Sequence, residues 1–102
     1  MKKLQNYIDG KFHAPISGAY IDNVDPSRGT VYSLIPDSGQ EDIMMAANAA
    51  KAAFPKWSGL SIEERSKILV RFSQGIEDRM DEFVAAESMD NGKPVSLARQ
   101  VD

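Results

Sequence analysis

Residues 88–95 read SMDNGKPV, and they contain a strong signal for the end of a helix. Asn91 and Gly92 both tolerate a left-handed backbone, which is a common way for a helix to end. Pro94 lacks the N–H group that would continue the helix. The stretch therefore predicts a helix that stops at Asn91-Gly92. Beyond it, Ser96 is expected to cap one further helix, of which Leu97 to Asp102 is present.

The first predicted helix upstream begins at a capping box. Ser38 and Glu41 fit the pattern S-x-x-E, in which each side chain bonds to the backbone N–H of the other residue. Pro55 is expected to end this helix. Trp57 then either anchors the following loop or lies at an exposed interface. The predicted apolar face, at helical spacing, consists of Ile43, Ala46, Ala47, Ala50 and Phe54.

A second helix is predicted to begin at the capping box formed by Ser61 and Glu64. Its buried stripe is predicted to consist of Ile68, Leu69, Phe72, Ile76 and Met80. A third helix is expected to start at Asp81 and to run to about Met89, with Phe83 and Val84 facing inward.

The first third of the chain has the patterns of strands. Residues 6–8 and 11–13 flank Asp9-Gly10, a dipeptide that fits a type I′ hairpin turn. Residues 20–24 alternate apolar and polar side chains, as a half-buried strand does. Residues 30–35 form the answering strand, after a turn that contains Pro26 and Gly29.

The predicted fold class is therefore α+β, with two short β-hairpins followed by three helices. The hairpins occupy residues 5–35 and the helices residues 38–102, within a single domain spanning 1–102.

Composition excludes several kinds of site. The net charge of −3 leaves no basic footprint for nucleic acid. With zero cysteines, the sequence offers no disulfide, thiolate metal site or cysteine nucleophile. His13 is the single histidine and cannot anchor a zinc site without partners. We expect His13 to be a structural residue, at the surface or half-buried. No apolar run approaches a membrane span, and a cytoplasmic location is expected.

Five segments, in order and at the expected spacing, resemble the N-terminal portion of the aldehyde dehydrogenase superfamily. The resemblance runs from about residue 5 to the end, and it is greatest to the semialdehyde branch of muconic-semialdehyde and betaine-aldehyde types. The segments are NYIDGKF (6–12), NVDPSRGTV (23–31), AANAAKAAFPKW (46–57), Glu63-Glu64-Arg65 with the apolar helix that follows, and ESMDNGKP (87–94).

The resemblance implies that the chain is the N-terminal part of an α/β, Rossmann-like cofactor domain in a longer enzyme. Such enzymes oxidise an aldehyde or semialdehyde to a carboxylic acid with NAD or NADP, through attack of a cysteine thiolate. Their catalytic cysteine, general-base glutamate and cofactor-binding loops lie downstream of Asp102. We therefore assign no catalytic and no cofactor-binding residue to this chain. On its own it is expected to be structural, inactive and without bound cofactor.

The resemblance also implies a site for a monovalent cation, Na⁺ or K⁺. The matching positions are Asn23 and Val24, through main-chain oxygens before the Asp-Pro turn, and the carboxylate of Asp90. Oxygen ligands suit such hard cations. The alternative is that Asp90 only caps the end of its helix.

Two hypotheses about the whole protein stay open at this point. In the first, the chain is a fragment of an aldehyde dehydrogenase, and the aldehyde is a partner of the parent enzyme alone. In the second, it is a stand-alone, non-catalytic interaction or oligomerisation module. Under the first, helix faces that pack on other parts of the enzyme would be exposed here, and the chain is expected to form a homo-oligomer through them.

Overall fold

The computed structural model of the protein describes residues 1–101. Their contacts divide into two compact units. The first unit contains Met1–Val24 and Val31–Gly59, and the second contains Asp25–Thr30 and the residues from Leu60 onward. The strands are β1 Lys2–Lys3, β2 Asn6–Ile8, β3 Lys11–His13, β4 Tyr20–Asp25 and β5 Thr30–Pro36. The helices are α1 Gln40–Ser58, α2 Ile62–Asp78, α3 Met80–Asn91 and α4 Val95–Val101.

A three-stranded sheet with the order β1-β5-β4 carries the second predicted hairpin. Strands β4 and β5 form that hairpin at nearly the predicted bounds. Strand β1 was not predicted, because two adjacent lysines show none of the apolar alternation that marks a strand. It runs parallel to β5, with Lys2 opposite Ser33. The N–H group of Leu4 extends this pairing by donating to the carbonyl of Leu34 at 2.8 Å.

The β2–β3 hairpin confirms the prediction made from Asp9-Gly10. Asp9 has φ 51° and Gly10 has φ 76°, the two positive angles that a type I′ turn needs. Across the antiparallel pair, the rings of Tyr7 and Phe12 stand 5.0 Å apart between centroids. Ile8 is buried, and it lines a shallow pocket with alanines of α1. The hairpin thus uses Ile8 to attach to the helix.

Helix α1 begins one residue later than predicted. Its N-cap is Gly39, and the carboxylate of Asp42 accepts the Gly39 N–H at 3.0 Å. The predicted capping box of Ser38 and Glu41 is therefore wrong. The reason is tertiary: the Ser38 hydroxyl accepts a bond from the Asn6 side chain at 2.8 Å instead of capping the helix.

The end of α1 also differs from the prediction. Pro55 was expected to stop the helix, but it lies inside α1, which continues to Ser58. A helix tolerates the missing N–H near its end because later residues still close their own bonds, as Gly59 does by donating to the Pro55 carbonyl at 3.0 Å. Trp57 consequently lies in the last helical turn rather than in a loop. On the predicted apolar face, Ile43 and Phe54 are exposed.

Helix α2 confirms the predicted cap, but its stripe is not buried. The Ser61 hydroxyl accepts the Glu64 N–H at 3.1 Å, and the Glu64 carboxylate accepts the Ser61 N–H at 2.9 Å. The predicted burial of the stripe is wrong for most of its length among residues 1–101. Ile68, Leu69 and Phe72 are exposed, whereas Ile76 and Met80 are half-buried.

Helices α3 and α4 pack on each other and form the apolar core of the second unit. Val84 is only 4% exposed and Ala98 only 1%. Phe83, which was expected to face inward with Val84, is exposed.

The end of α3 and the start of α4 are set by Gly92 and Pro94. Gly92 ends α3 with φ 78°, as the sequence predicted. Ser96 does not cap α4, because it lies within the first turn and the Pro94 carbonyl accepts the N–H groups of Leu97 and Ala98. The predicted last residue of this helix, Asp102, lies outside the described residues. Across residues 1–101, no helix is both long enough and apolar enough to cross a membrane.

Candidate functional site

The turn after α3 is held by a compact set of local hydrogen bonds. The Gly92 N–H donates to the Ser88 carbonyl at 2.9 Å, and the Ser88 hydroxyl donates to the Lys93 carbonyl at 2.6 Å. The Asn91 carboxamide is held at both ends. Its oxygen accepts the Lys93 N–H at 2.8 Å, and its nitrogen donates to the Glu87 carboxylate at 2.5 Å. These hydrogen bonds hold residues 87–93 in a single conformation, and we call this segment the braced turn.

Pro26, in the turn between β4 and β5, approaches this braced turn within the second unit. A Cβ atom added to Gly92 would lie 3.2 Å from the Cγ atom of Pro26. Gly92 is thus required for two reasons, its left-handed backbone and the close approach of the proline ring. Two of the segments that carry the family resemblance, NVDPSRGTV and ESMDNGKP, meet at this contact.

Asp25 organises the β4–β5 turn. Its carboxylate is buried and accepts the Ser27 N–H at 2.9 Å and the Ser27 hydroxyl at 2.7 Å. Arg28 lies 3.9 Å away, between its Nε atom and a carboxylate oxygen. The Ser27 hydroxyl is the main cause of a lowered pKa at Asp25; burial opposes it, and the Ser27 N–H and Arg28 add to it. Asp25 is therefore an ionised residue that stabilises the turn.

The predicted cation ligands lie in different units. Asn23 and Val24 lie on β4, where the Asn23 side chain donates to the Tyr32 hydroxyl at 2.9 Å and to the Ser33 hydroxyl at 3.2 Å. Asp90 lies in the last turn of α3, in the second unit. The site for Na⁺ or K⁺ stays a prediction carried by the resemblance. Within the part of the chain that the structure describes, no three His, Asp or Glu side chains form a cluster that could hold a metal ion.

Sequence reasoning missed the role of Asp42. This carboxylate is only 2% exposed and accepts the backbone N–H of Ile16 at 3.1 Å as well as that of Gly39. It therefore joins the loop before β4 to the start of α1. An acidic residue three positions after a glycine was the available signal, but the neighbouring S-x-x-E pattern competed with it. His13 is half-buried on β3 opposite Asn6, which agrees with the structural role predicted for it.

Comparison with known proteins agrees with the resemblance. The profile of the aldehyde dehydrogenase family matches residues 13–102. The 2-aminomuconic semialdehyde dehydrogenase of Danio rerio is 52% identical over 99 residues, which are 97% of this chain and 20% of that protein. The 2-hydroxymuconic semialdehyde dehydrogenase of Pseudomonas sp. (strain CF600) is 39% identical over 103 residues, which are 100% of this chain and 21% of that protein.

A solved structure of an aldehyde dehydrogenase is also similar to this chain. The crystal structure of an NAD-dependent aldehyde dehydrogenase from Sinorhizobium meliloti superposes with a TM-score of 0.90 at 34% identity. The alignment covers 97% of this chain and 20% of that one. The chain thus spans about a fifth of the length of its relatives, and it aligns with the N-terminal part of the solved enzymes. Since the family profile covers well over half of its sequence, this chain belongs to the aldehyde dehydrogenase family.

Proposed function

We propose that this chain is the N-terminal part of an NAD(P)-dependent aldehyde dehydrogenase, an oxidoreductase that converts an aldehyde to a carboxylic acid. One observation carries the proposal. The family profile matches residues 13–102, which is most of the chain, while the chain spans only about a fifth of the length of its relatives. The chemistry of the parent enzyme then depends on residues outside this chain.

The role that we infer for the chain itself is structural. Acyl transfer through a covalent intermediate needs an activated nucleophile, and the family uses a cysteine thiolate. This sequence contains no cysteine. Its buried carboxylates, Asp25 and Asp42, bind backbone N–H groups of the same chain. We therefore expect the chain alone to be inactive and to bind no nicotinamide cofactor.

The substrate class and cofactor of the parent enzyme are inferred from its relatives. The Danio rerio and Pseudomonas enzymes are both named as muconic semialdehyde dehydrogenases, which supports a semialdehyde as substrate. The Sinorhizobium meliloti enzyme is named as NAD-dependent, which supports NAD over NADP. A cytoplasmic location stays a prediction from the sequence.

We also infer that the chain forms a homo-oligomer through its exposed helix faces. Phe54 on α1 and Leu69 and Phe72 on α2 are large, apolar and exposed. Such side chains associate when their neighbours form a continuous patch. Sedimentation velocity at micromolar concentration should detect a dimer or a larger species. A clean monomer under those conditions would rule this out.

The alternative of a stand-alone interaction module is not favoured. The relatives reported above are dehydrogenases, and each is aligned over nearly the whole of this chain.

Reading the coding sequence beyond Asp102 tests the proposal most simply. We expect an open frame that encodes a cysteine nucleophile, a glutamate and glycine-rich cofactor loops. The complete protein should then reduce NAD in the presence of a semialdehyde. A frame without those elements would rule the proposal out.

A further inference from the structure

Asn91-Gly92 is a dipeptide with a chemistry of its own, independent of the parent enzyme. In an Asn-Gly pair, the glycine nitrogen attacks the Cγ atom of the asparagine side chain. Glycine favours this attack because it has no side chain to obstruct the approach. Asparagine is for this reason among the chemically labile residues of proteins. Both residues are exposed, and the sequence contains Asn-Gly only here.

We propose that Asn91-Gly92 is a latent deamidation site, closed while the turn after α3 is intact and open when that turn comes apart. In the open turn, the Gly92 nitrogen loses its proton to solvent and bonds to the Cγ atom of Asn91. The bond from Cγ to Nδ2 breaks, and Nδ2 leaves as ammonia with a proton from solvent. Water then opens the cyclic imide and leaves aspartate or isoaspartate at position 91.

The hydrogen bonds of the turn oppose each part of this reaction. The attacking nitrogen is engaged, because the Gly92 N–H donates to the Ser88 carbonyl at 2.9 Å. The carboxamide must rotate toward that nitrogen, yet its oxygen is bonded to the Lys93 N–H and its nitrogen to the Glu87 carboxylate. Asn91 is also the last residue of α3, so its backbone is helical. Three contacts would have to break before the imide forms.

The product would prevent the turn from closing again. The Nδ2 donor to Glu87 is replaced by a carboxylate oxygen, which places two negative groups where a bond of 2.5 Å existed. Isoaspartate additionally inserts one carbon atom into the main chain between α3 and Gly92. We therefore expect modification to loosen the contact of α3 with α4.

The experiment follows the modification by peptide mapping of the complete 102-residue chain, incubated at neutral pH in buffer and in guanidinium chloride. Circular dichroism serves as the control that the chain is helical in buffer. Trypsin cleaves after Arg79 and Arg99 and spares Lys93, which precedes a proline. In the resulting peptide of residues 80–99, Asn91 is the single side-chain amide, so any gain in mass from deamidation is assigned to it.

We expect deamidation in the denatured chain and a rate in buffer that is at least about tenfold lower, since local opening must precede reaction. The variant Ser88→Ala removes the hydroxyl bond to the Lys93 carbonyl without changing the Asn-Gly pair. It should react faster than the parent chain in buffer and at the same rate in guanidinium chloride. Glu87→Ala, which removes the acceptor of Nδ2, should act in the same direction.

Three results would overturn the proposal: equal rates in buffer and in denaturant, no modification in denaturant, or rates in buffer that neither variant raises. None of these outcomes bears on the dehydrogenase function. A failed enzymatic assay would likewise leave the deamidation chemistry untouched.

Discussion

Helix α2 and the pair formed by α3 and α4 belong to the same unit, yet they bury their apolar side chains to very different extents. On α2, Phe72 is 69% exposed and Leu69 is exposed beside it. On α3, Val84 is 4% exposed, and it lines the same small cavity as Ala98 of α4. The apolar residues of α2 have the spacing of a buried helix face, yet they are the exposed ones. The apolar spacing of α2 therefore does not tell whether this stretch of chain supplies a cover for that face.

The difference between α2 and the α3–α4 pair shows that helix ends and helix faces depend on different parts of the sequence. Helix ends are set by neighbours along the chain, as Ser61 and Glu64 show by capping α2 over three residues. Helix faces depend on what packs against them. For α3, the cover comes from α4, a few residues further on. The relatives of this chain are about five times its length, which is why we expect the face of α2 to be covered in the parent enzyme.

The largest expected effect tests the buried side of this contrast. Val84→Ala should lower the free energy of unfolding of the chain by about 2 kcal/mol, because it removes buried methyl groups and leaves a cavity. Val70→Ala makes the same change at an exposed position of α2 and should cost less than about 0.5 kcal/mol. Urea titration followed by circular dichroism measures both. Equal losses would mean that the exposures of the two helices do not differ in solution.

A pair of glycines tests the braced turn in the same way. Gly92→Ala should destabilise the chain by about 1–2 kcal/mol, because alanine resists the left-handed backbone and its Cβ atom would press on Pro26. Gly75→Ala lies within α2, with no atom within 4 Å of the added Cβ. It should stabilise the chain by up to about 1 kcal/mol. Thermal unfolding of both variants measures these changes in stability. If Gly92→Ala left the stability unchanged, the contact of Gly92 with Pro26 and its left-handed backbone would be contradicted.

Two serines test whether helix ends depend on local partners. Ser61→Ala removes the hydroxyl that caps α2 and should cost about 1 kcal/mol. Ser96 was predicted to cap α4 but lies within its first turn, so Ser96→Ala should change stability by less than about 0.5 kcal/mol. Chemical denaturation would show the difference. A larger loss at Ser96 than at Ser61 would restore the prediction made from the sequence.

The smallest effect concerns the pH dependence of the β4–β5 turn. The pKa of Asp25 is held below its ordinary value, so its contribution to stability is present above about pH 4 and is lost as the pH falls through the lowered value. Asp25→Asn should therefore lose less stability than the parent chain on acidification. Ser27→Ala removes the main cause of the shift and should behave similarly. Unfolding curves recorded from neutral to acidic pH provide the comparison, and parallel curves for all three proteins would exclude this role.

The features that the sequence predicted well are those whose partners are adjacent. The turns at Asp9-Gly10 and Asn91-Gly92 depend on backbone angles that few residues adopt, so their types could be predicted. Two of the failures occurred where a distant residue intervened. The Ser38 hydroxyl accepts a hydrogen bond from Asn6 instead of capping α1. Strand β1 forms because it pairs with the edge of β5, some thirty residues away in the sequence.

The candidate site shows the same division. The turn of ESMDNGKP could be predicted from its own residues, whereas its contact with Pro26 could not, because that contact joins segments more than sixty positions apart. The function could not be derived from composition or spacing at all. The family resemblance came from the order of several short segments, each of which is weak alone, and the match over residues 13–102 then established the family.

The most direct test of the account is an assay of aldehyde-dependent NAD reduction, performed in parallel on the complete protein encoded by the gene and on this 102-residue chain. We expect NADH formation with a semialdehyde by the complete protein and none by the chain alone, which has no cysteine nucleophile. Turnover by the chain alone would contradict it. So would a complete protein that carries the downstream cysteine but forms no NADH with any aldehyde offered.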